Sequence, residues 1–276
     1  FRNLQPSYSN LETNTHGLID NINIHDGIAT KVRDYDPYEE FLVVDLAFDG
    51  ENNSTKIVDN GTLKSNWTVN GNAKISTDQK FDGFSSLYIP YSNNDRNVTT
   101  SSDIIFENGE DFTFSFEFIR LPSTVTFDTI FTTGVSSVPN SDNVWSINAF
   151  SSYYNNNSFS ILKNKISFIN EKRFSTAEDG LISNITIQDN VKYKVDIVRS
   201  GMTTFLYVNN VLDSFTNAFQ NDRIDFTNIC IGTPVWSNGM EAGISCYLKN
   251  VKIYKGAAII PEDPTGKIQL DFDNNV

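Results

Sequence analysis

Residues 112–119 read Phe-Thr-Phe-Ser-Phe-Glu-Phe-Ile. Along an extended chain successive side chains point to opposite faces. Phe112, Phe114, Phe116 and Phe118 therefore share one face, and Thr113, Ser115 and Glu117 share the other. Four phenyl rings on one face need a deep apolar layer to cover them. A second sheet facing the first supplies that layer.

Residues 193–215 add a meander. Tyr193-Lys194-Val195-Asp196-Ile197-Val198-Arg199 turns at Ser200-Gly201, continues as Thr203-Thr204-Phe205-Leu206-Tyr207-Val208, turns again at Asn209-Asn210, and closes with Val211-Leu212-Asp213-Ser214-Phe215. Gly and Asn tolerate the positive φ that tight turns demand, so two consecutive hairpins are predicted. Three strands with a common apolar face are stable where one hairpin is not.

Further strand signals fall at 41–48, 67–70, 73–76, 84–89, 128–132, 144–150, 159–162, 165–169, 185–187, 229–231, 243–248 and 250–254, while 92–102 reads as a polar loop. No segment carries a capped 3.6-residue apolar period. The prediction is an all-β chain folded as a two-sheet antiparallel β-sandwich over residues 37–260. Residues 1–36, rich in Asn and Asp and interrupted by Pro6, Gly17 and Gly27, read as an extended N-terminal arm. Residues 261–276 read as a C-terminal extension. Within it Ile268-Gln269-Leu270-Asp271-Phe272-Asp273 echoes Val44-Asp45-Leu46-Ala47-Phe48-Asp49, either as the start of a second repeat or as a strand added to a sheet edge.

Composition narrows the function classes. Thirty-four acidic residues against 21 basic give a net charge of -13, a field that repels phosphate backbones and argues against nucleic acid. No apolar run approaches the ~20 residues of a membrane-spanning helix, so no membrane insertion is expected. No signal peptide is recognisable, and a chain that begins with Phe1 is expected to be a fragment, a processed form or the ordered part of something longer. Cys230 and Cys246 lie in strand-like runs and are expected as buried thiols, not a disulfide. With no CxxC or HExxH spacing, zinc and thiol chemistry have no foothold.

Several motifs resemble the laminin-G-like, concanavalin A-like jelly-roll domains of bacteriophage virion proteins. They are Asp36-Pro37-Tyr38 followed by a Leu/Val strand and Phe48-Asp49-Gly50; Lys80-Phe81-Asp82-Gly83 leading to Ser85-Ser86-Leu87-Tyr88; the Arg199 to Val211 segment; and Asn250-Val251-Lys252-Ile253-Tyr254-Lys255-Gly256. Asn210 stands where that family usually has Gly, and Asn250 and Lys252 also depart from its pattern. The resemblance covers residues 36–260. It implies a jelly roll on the surface of a virion, with other virion proteins as partners, a host-surface glycan as a possible ligand, and possible homo-oligomers. Sandwiches of this kind carry many activities, so function has to be argued from sites.

A catalytic set is not expected. Glycosidases with this sandwich usually carry acids at alternating positions of one strand, whereas Glu117 and Asp196 each stand alone on theirs. His16 and His25 both lie in the arm and leave the sandwich without a histidine base. Calcium, the usual ion of laminin-G-like folds, is a possible cofactor at Asp49, Asp59 and Asp82, with Asp95 a further candidate near a turn; Asx residues at turns also serve the backbone. Glycan recognition needs a ring under a pyranose with amides around it. Tyr153, Tyr154 and Asn156 offer that chemistry in one predicted loop, and Trp236 and Asn238 in another. Asn66-Trp67-Thr68, Asn97-Val98-Thr99 and Asn184-Ile185-Thr186 match the glycosylation sequon, as chance allows in an Asn- and Thr-rich chain. The expected function is glycan or host-surface adhesion on a phage particle. The alternatives are capsid or fibre decoration, and a carbohydrate-binding appendage of a secreted bacterial enzyme.

Overall fold

The computed structural model describes residues 37–81, 84–90, 97–122, 129–133, 145–149, 159–170, 176–232 and 244–262. By internal contacts the chain divides into Phe1–Pro37 and Tyr38–Val276. The predicted arm and residues 263–276 lie outside the described residues.

The second unit is a two-sheet antiparallel β-sandwich. With strands numbered in chain order, the larger sheet runs β14 (Val211–Thr216), β13 (Thr203–Val208), β12 (Lys192–Ser200), β7 (Phe112–Arg120), β17 (Cys246–Lys255), β4 (Phe84–Ile89) and β3 (Lys74–Phe81), with β1 (Leu42–Leu46) also paired to β17. The facing sheet runs β11 (Gly180–Ile182), β10 (Ile166–Asn170), β9 (Trp145–Ala149), β8 (Thr129–Thr132), β16 (Cys230–Gly232), β5 (Asn97–Thr100) and β2 (Trp67–Val69). A third, two-stranded sheet joins β15 (Ile224–Phe226) to β6 (Ile104–Phe106). Segments distant in sequence meet at the sheet centres, β7 with β17 and β8 with β16. Such sequence-distant central pairings suit a jelly roll.

The core is where the alternation of residues 112–118 places it. Phe112, Phe114, Phe116 and Phe118 are at most 1% exposed. Phe226 of the small sheet meets Phe114 at 4.9 Å between centroids, and Phe131 of the facing sheet meets Phe116 edge-on at 5.1 Å. Tilted and edge-on ring pairs of this kind add about 0.5–1.5 kcal/mol each beyond the area they bury. Cys230 and Cys246 are buried as well, one in each sheet.

The meander forms as β12, β13 and β14. Asn209 and Asn210 take φ of 54° and 64°, the conformation a tight hairpin turn requires. The first turn sits on Gly201 and Met202, one residue later than predicted, because Ser200 still pairs with Thr203. Asn250, a departure from the family motif, adopts φ 51° where β17 bulges against β7.

Three local expectations are corrected. Residues 159–162 form a 3-10 helix instead of a strand; Asn164, at φ 56°, ends that turn and β10 starts only at Ile166. Residues 185–187 form no strand, because their N–H groups go elsewhere: Ile185 donates to the Asp213 carboxylate and Ile187 to the Asn164 carbonyl. The polar stretch 92–102 contains β5, whose Val98 is buried between β2 and β16.

One segment crosses the outward face of the larger sheet. Gly256 donates to the Asp111 carbonyl, the Thr113 hydroxyl donates to the Ala257 carbonyl at 3.0 Å, and Ile259 N–H donates back to Thr113 Oγ1 at 2.8 Å. Thr113, outward-facing as predicted, is therefore only 1% exposed.

Candidate functional site

The two large sheets end side by side, β14 at the margin of one and β11 at the margin of the other. Between β13 and β14, Leu206 pairs with Ser214 and Tyr207 with Leu212, so Asp213 is an extra residue on the edge strand. A bulge of this kind re-aims its side chain. The Asp213 carboxylate accepts the backbone N–H of Asn184 at 2.5 Å and that of Ile185 at 3.0 Å, and the Asn184 side-chain amide donates to the Asp213 carbonyl. These bonds clasp the margin of one sheet to the segment that follows the margin strand of the other.

Neighbouring side chains stiffen the clasp. The Ser183 hydroxyl accepts the N–H of Ile166 and donates to the carbonyl of Ile185, while Lys165 Nζ donates to the Asn184 carbonyl. Above them the 3-10 turn Ala177–Asp179 is closed by a reciprocal cap, in which the Asp179 carboxylate takes the N–H of Thr176 at 2.8 Å.

The result is a groove of about 820 Å³ with mixed chemistry. Its apolar wall is Phe215, 65% exposed, with Leu212 and Ile161. Scattered exposed aliphatics are ordinary, but a large ring displayed in a concavity is informative. The polar wall includes Lys165, Asn184 and Glu178, and among the described residues the Glu178 carboxylate makes no hydrogen bond or ion pair. An amphipathic ligand with one apolar face and a rim of hydroxyls matches such walls. Acid–base catalysis across the groove would need a second available carboxylate, and Asp213 is committed to backbone amides.

The predicted glycan residues Tyr153, Tyr154, Asn156, Trp236 and Asn238 lie outside the described residues, as do Asp82 and Asp95. Asp49 and Asp59 are described but do not meet. Asp49 pairs with the ammonium of Lys249. Asp59 is buried and organises a turn. Its Oδ1 accepts N–H groups from Asp45 and Gly61, both at 2.9 Å, and its Oδ2 accepts those of Ser65 at 3.0 Å and the Trp67 indole at 3.4 Å. Among the described residues no group of three or more His, Cys, Asp or Glu side chains could hold a metal. The groove was not foreseen in the sequence, although Val211 and Leu212 side by side break the alternation and signal a bulge.

No protein-family model and no curated protein matches the chain. Solved structures do share its fold. The binding domain of Paraclostridial Mosquitocidal Protein 1 superposes with a TM-score of 0.55 at 18% identity, over 80% of this chain and 50% of that one. The botulinum neurotoxin serotype D binding domain gives 0.55 at 13% identity, over 80% and 49%. A structure of botulinum neurotoxin type C, whose cell entry is described as dependent on interaction with two ganglioside molecules, gives 0.52 at 14% identity, over 80% and 49%. The chain spans about half the length of these structures.

Proposed function

We propose that this domain is a non-enzymatic recognition module that holds a host-surface glycan in the groove between the margins of its two sheets. The observation that carries the reading is the Phe215 ring, 65% exposed in a concavity that it lines together with Glu178, whose carboxylate has no partner among the described residues. A pyranose lays its C–H face on such a ring and directs its hydroxyls to Glu178, Asn184 and Lys165. The fold it shares with toxin binding domains, and with a neurotoxin whose cell entry is described as dependent on gangliosides, supports recognition over catalysis. Tyr153, Tyr154, Asn156, Trp236 and Asn238, which the sequence suggests for glycan contact, are proposed as a second contact set. The resemblance of residues 36–260 to phage modules supports display on a virion surface, with the arm 1–36 meeting other virion proteins.

A glycan array probed with the full 276-residue chain tests this reading. Binding should fall about tenfold or more in Phe215→Ala, the equivalent of ~1.4 kcal/mol, and weaken in Glu178→Gln. Binding that survives Phe215→Ala but is lost in Trp236→Ala or Tyr154→Ala moves the site to those residues. No binding to any glycan or host envelope transfers the weight to capsid or fibre decoration. Genes for a catalytic partner beside this one favour the appendage of a secreted enzyme.

A further inference from the structure

We infer that the outward face of the larger sheet carries a second, separate binding site, for a small hydroxylated acid of the sugar-acid class, held between Asp196 and Lys252. The register builds it. Ser115 on β7 stands directly opposite Asp196 on β12 and opposite Lys252 on β17, so the three form one row across the sheet centre. Adjacent strands lie about 4.8 Å apart, which puts a carboxylate and an ammonium roughly 10 Å apart at their Cα atoms, with Ser115 between. The row opens into a cavity of about 410 Å³, bordered by Ile259 and Pro261 of the segment that crosses this face.

The two ends of the row are chemically unfinished. Asp196 is 3% exposed and its Oδ2 accepts no hydrogen bond; the nearest cation, Lys194 Nζ, stands at 3.6 Å and is itself bonded to Asn210 Oδ1 at 2.7 Å. A buried carboxylate oxygen without a donor is costly, and a ligand hydroxyl would satisfy it. Burial pushes the Asp196 carboxyl above its usual range, with Lys194 pulling the other way. Among the described residues Lys252 makes no hydrogen bond or ion pair, with Asp45 of β1 opposite it in the register, and its ammonium is available to an anionic group. Glu117, the neighbouring acid, is already held by the Asn250 amide at 2.7 Å and by Lys192 at 3.3 Å. One hydroxyl donor for Asp196 and one carboxylate for Lys252, joined by a ring lying over Ser115, describes a hexuronic acid.

Saturation-transfer NMR on the full chain, with D-glucuronate, D-glucose and inorganic phosphate as probes, decides the matter. Glucuronate should bind, glucose should bind at least about tenfold more weakly, and phosphate should not displace glucuronate. Lys252→Gln should erase the preference for the acid, Asp196→Asn should weaken both sugars, and Phe215→Ala should change neither. Lys252→Gln suffices if Asp196→Asn fails to fold, since its side chain is only half-buried. The inference is overturned by no saturation of glucuronate, by displacement with phosphate, or by an unchanged preference in Lys252→Gln. Loss of binding in Phe215→Ala would also overturn it, because the signal would then belong to the groove.

Discussion

The guanidinium of Arg199 lies 4.9 Å above the ring centre of Phe112. Three of its five N–H groups donate to carbonyls: Nε to Glu110 at 2.7 Å, Nη1 to Asp222 at 3.0 Å and Nη2 to Glu107 at 2.6 Å. One buried cation thus ties the hairpin strand β12 to the turn before β7 and to the segment leading into β15. Arg199→Met keeps much of the volume but strands three acceptors. A loss of about 3 kcal/mol or more is expected, since each buried unsatisfied group costs about 1–3 kcal/mol. Arg199→Lys should recover only part of it, because an ammonium cannot form the planar fork. Urea denaturation of the three proteins checks the order.

The pattern of what the chain disclosed follows from range. Phe112 to Phe118 and the Asn209-Asn210 turn are local signals, and a period of two or a positive φ can be read within a few residues. The three-residue strands β6 and β15 are too short to show a period. They become strands because Phe106 and Phe226 insert into the core, a tertiary effect. The groove is longer in range still: Asp213 and Asn184 lie 29 residues apart and meet only because a bulge turns the carboxylate toward the other sheet. Asp59 shows the converse. An acid near a predicted turn invited a calcium reading, and its geometry shows a carboxylate wholly occupied by N–H groups.

Breaking the clasp should loosen the margin without unfolding the core. Asp213→Ala removes the acceptor for two backbone N–H groups that water can partly reach, so a global cost of about 1 kcal/mol is expected. The local effect should be larger. Amide exchange at Asn184 and Ile185 should accelerate while Phe116 and Ile197 stay protected, and glycan affinity should fall with the groove's geometry. Unchanged exchange at Asn184 would contradict the role assigned to Asp213.

Asp59→Ala should destabilise by about 3 kcal/mol, because it leaves several buried donors unpaired at once. That loss should be the same with calcium added or chelated. A thermal melt of wild type and variant, each with and without calcium, separates turn organisation from ion binding. Gly61→Ala should be the more damaging change at the same turn. A Cβ there would sit 2.4 Å from the Val43 carbonyl oxygen and 2.6 Å from the Val44 Cα, and backbone cannot yield as a side chain can.

Asp196 should make stability depend on pH in a direction opposite to that of an ion-paired acid. Its carboxyl is raised above the ordinary 3.8, chiefly by burial, with Lys194 and a bond from Ser115 opposing and Glu117 reinforcing. Tyr207 stands opposite it on β13, adjacent β7 also carries Arg120, and Lys252 lies two strands away on β17. Between 3.8 and the raised value the folded chain binds more protons at this position than the unfolded chain does. Stability from this residue is therefore fully present at the acid end and is lost as pH rises through that window. Asp196→Asn removes the dependence, so the difference in unfolding free energy between variant and wild type should move in favour of the variant from acid to neutral pH. Urea titrations of both proteins at pH 4 and pH 7 measure it. A difference that moves the other way would mean that the folded state stabilises the Asp196 carboxylate, and its oxygen without a hydrogen bond would lose its significance.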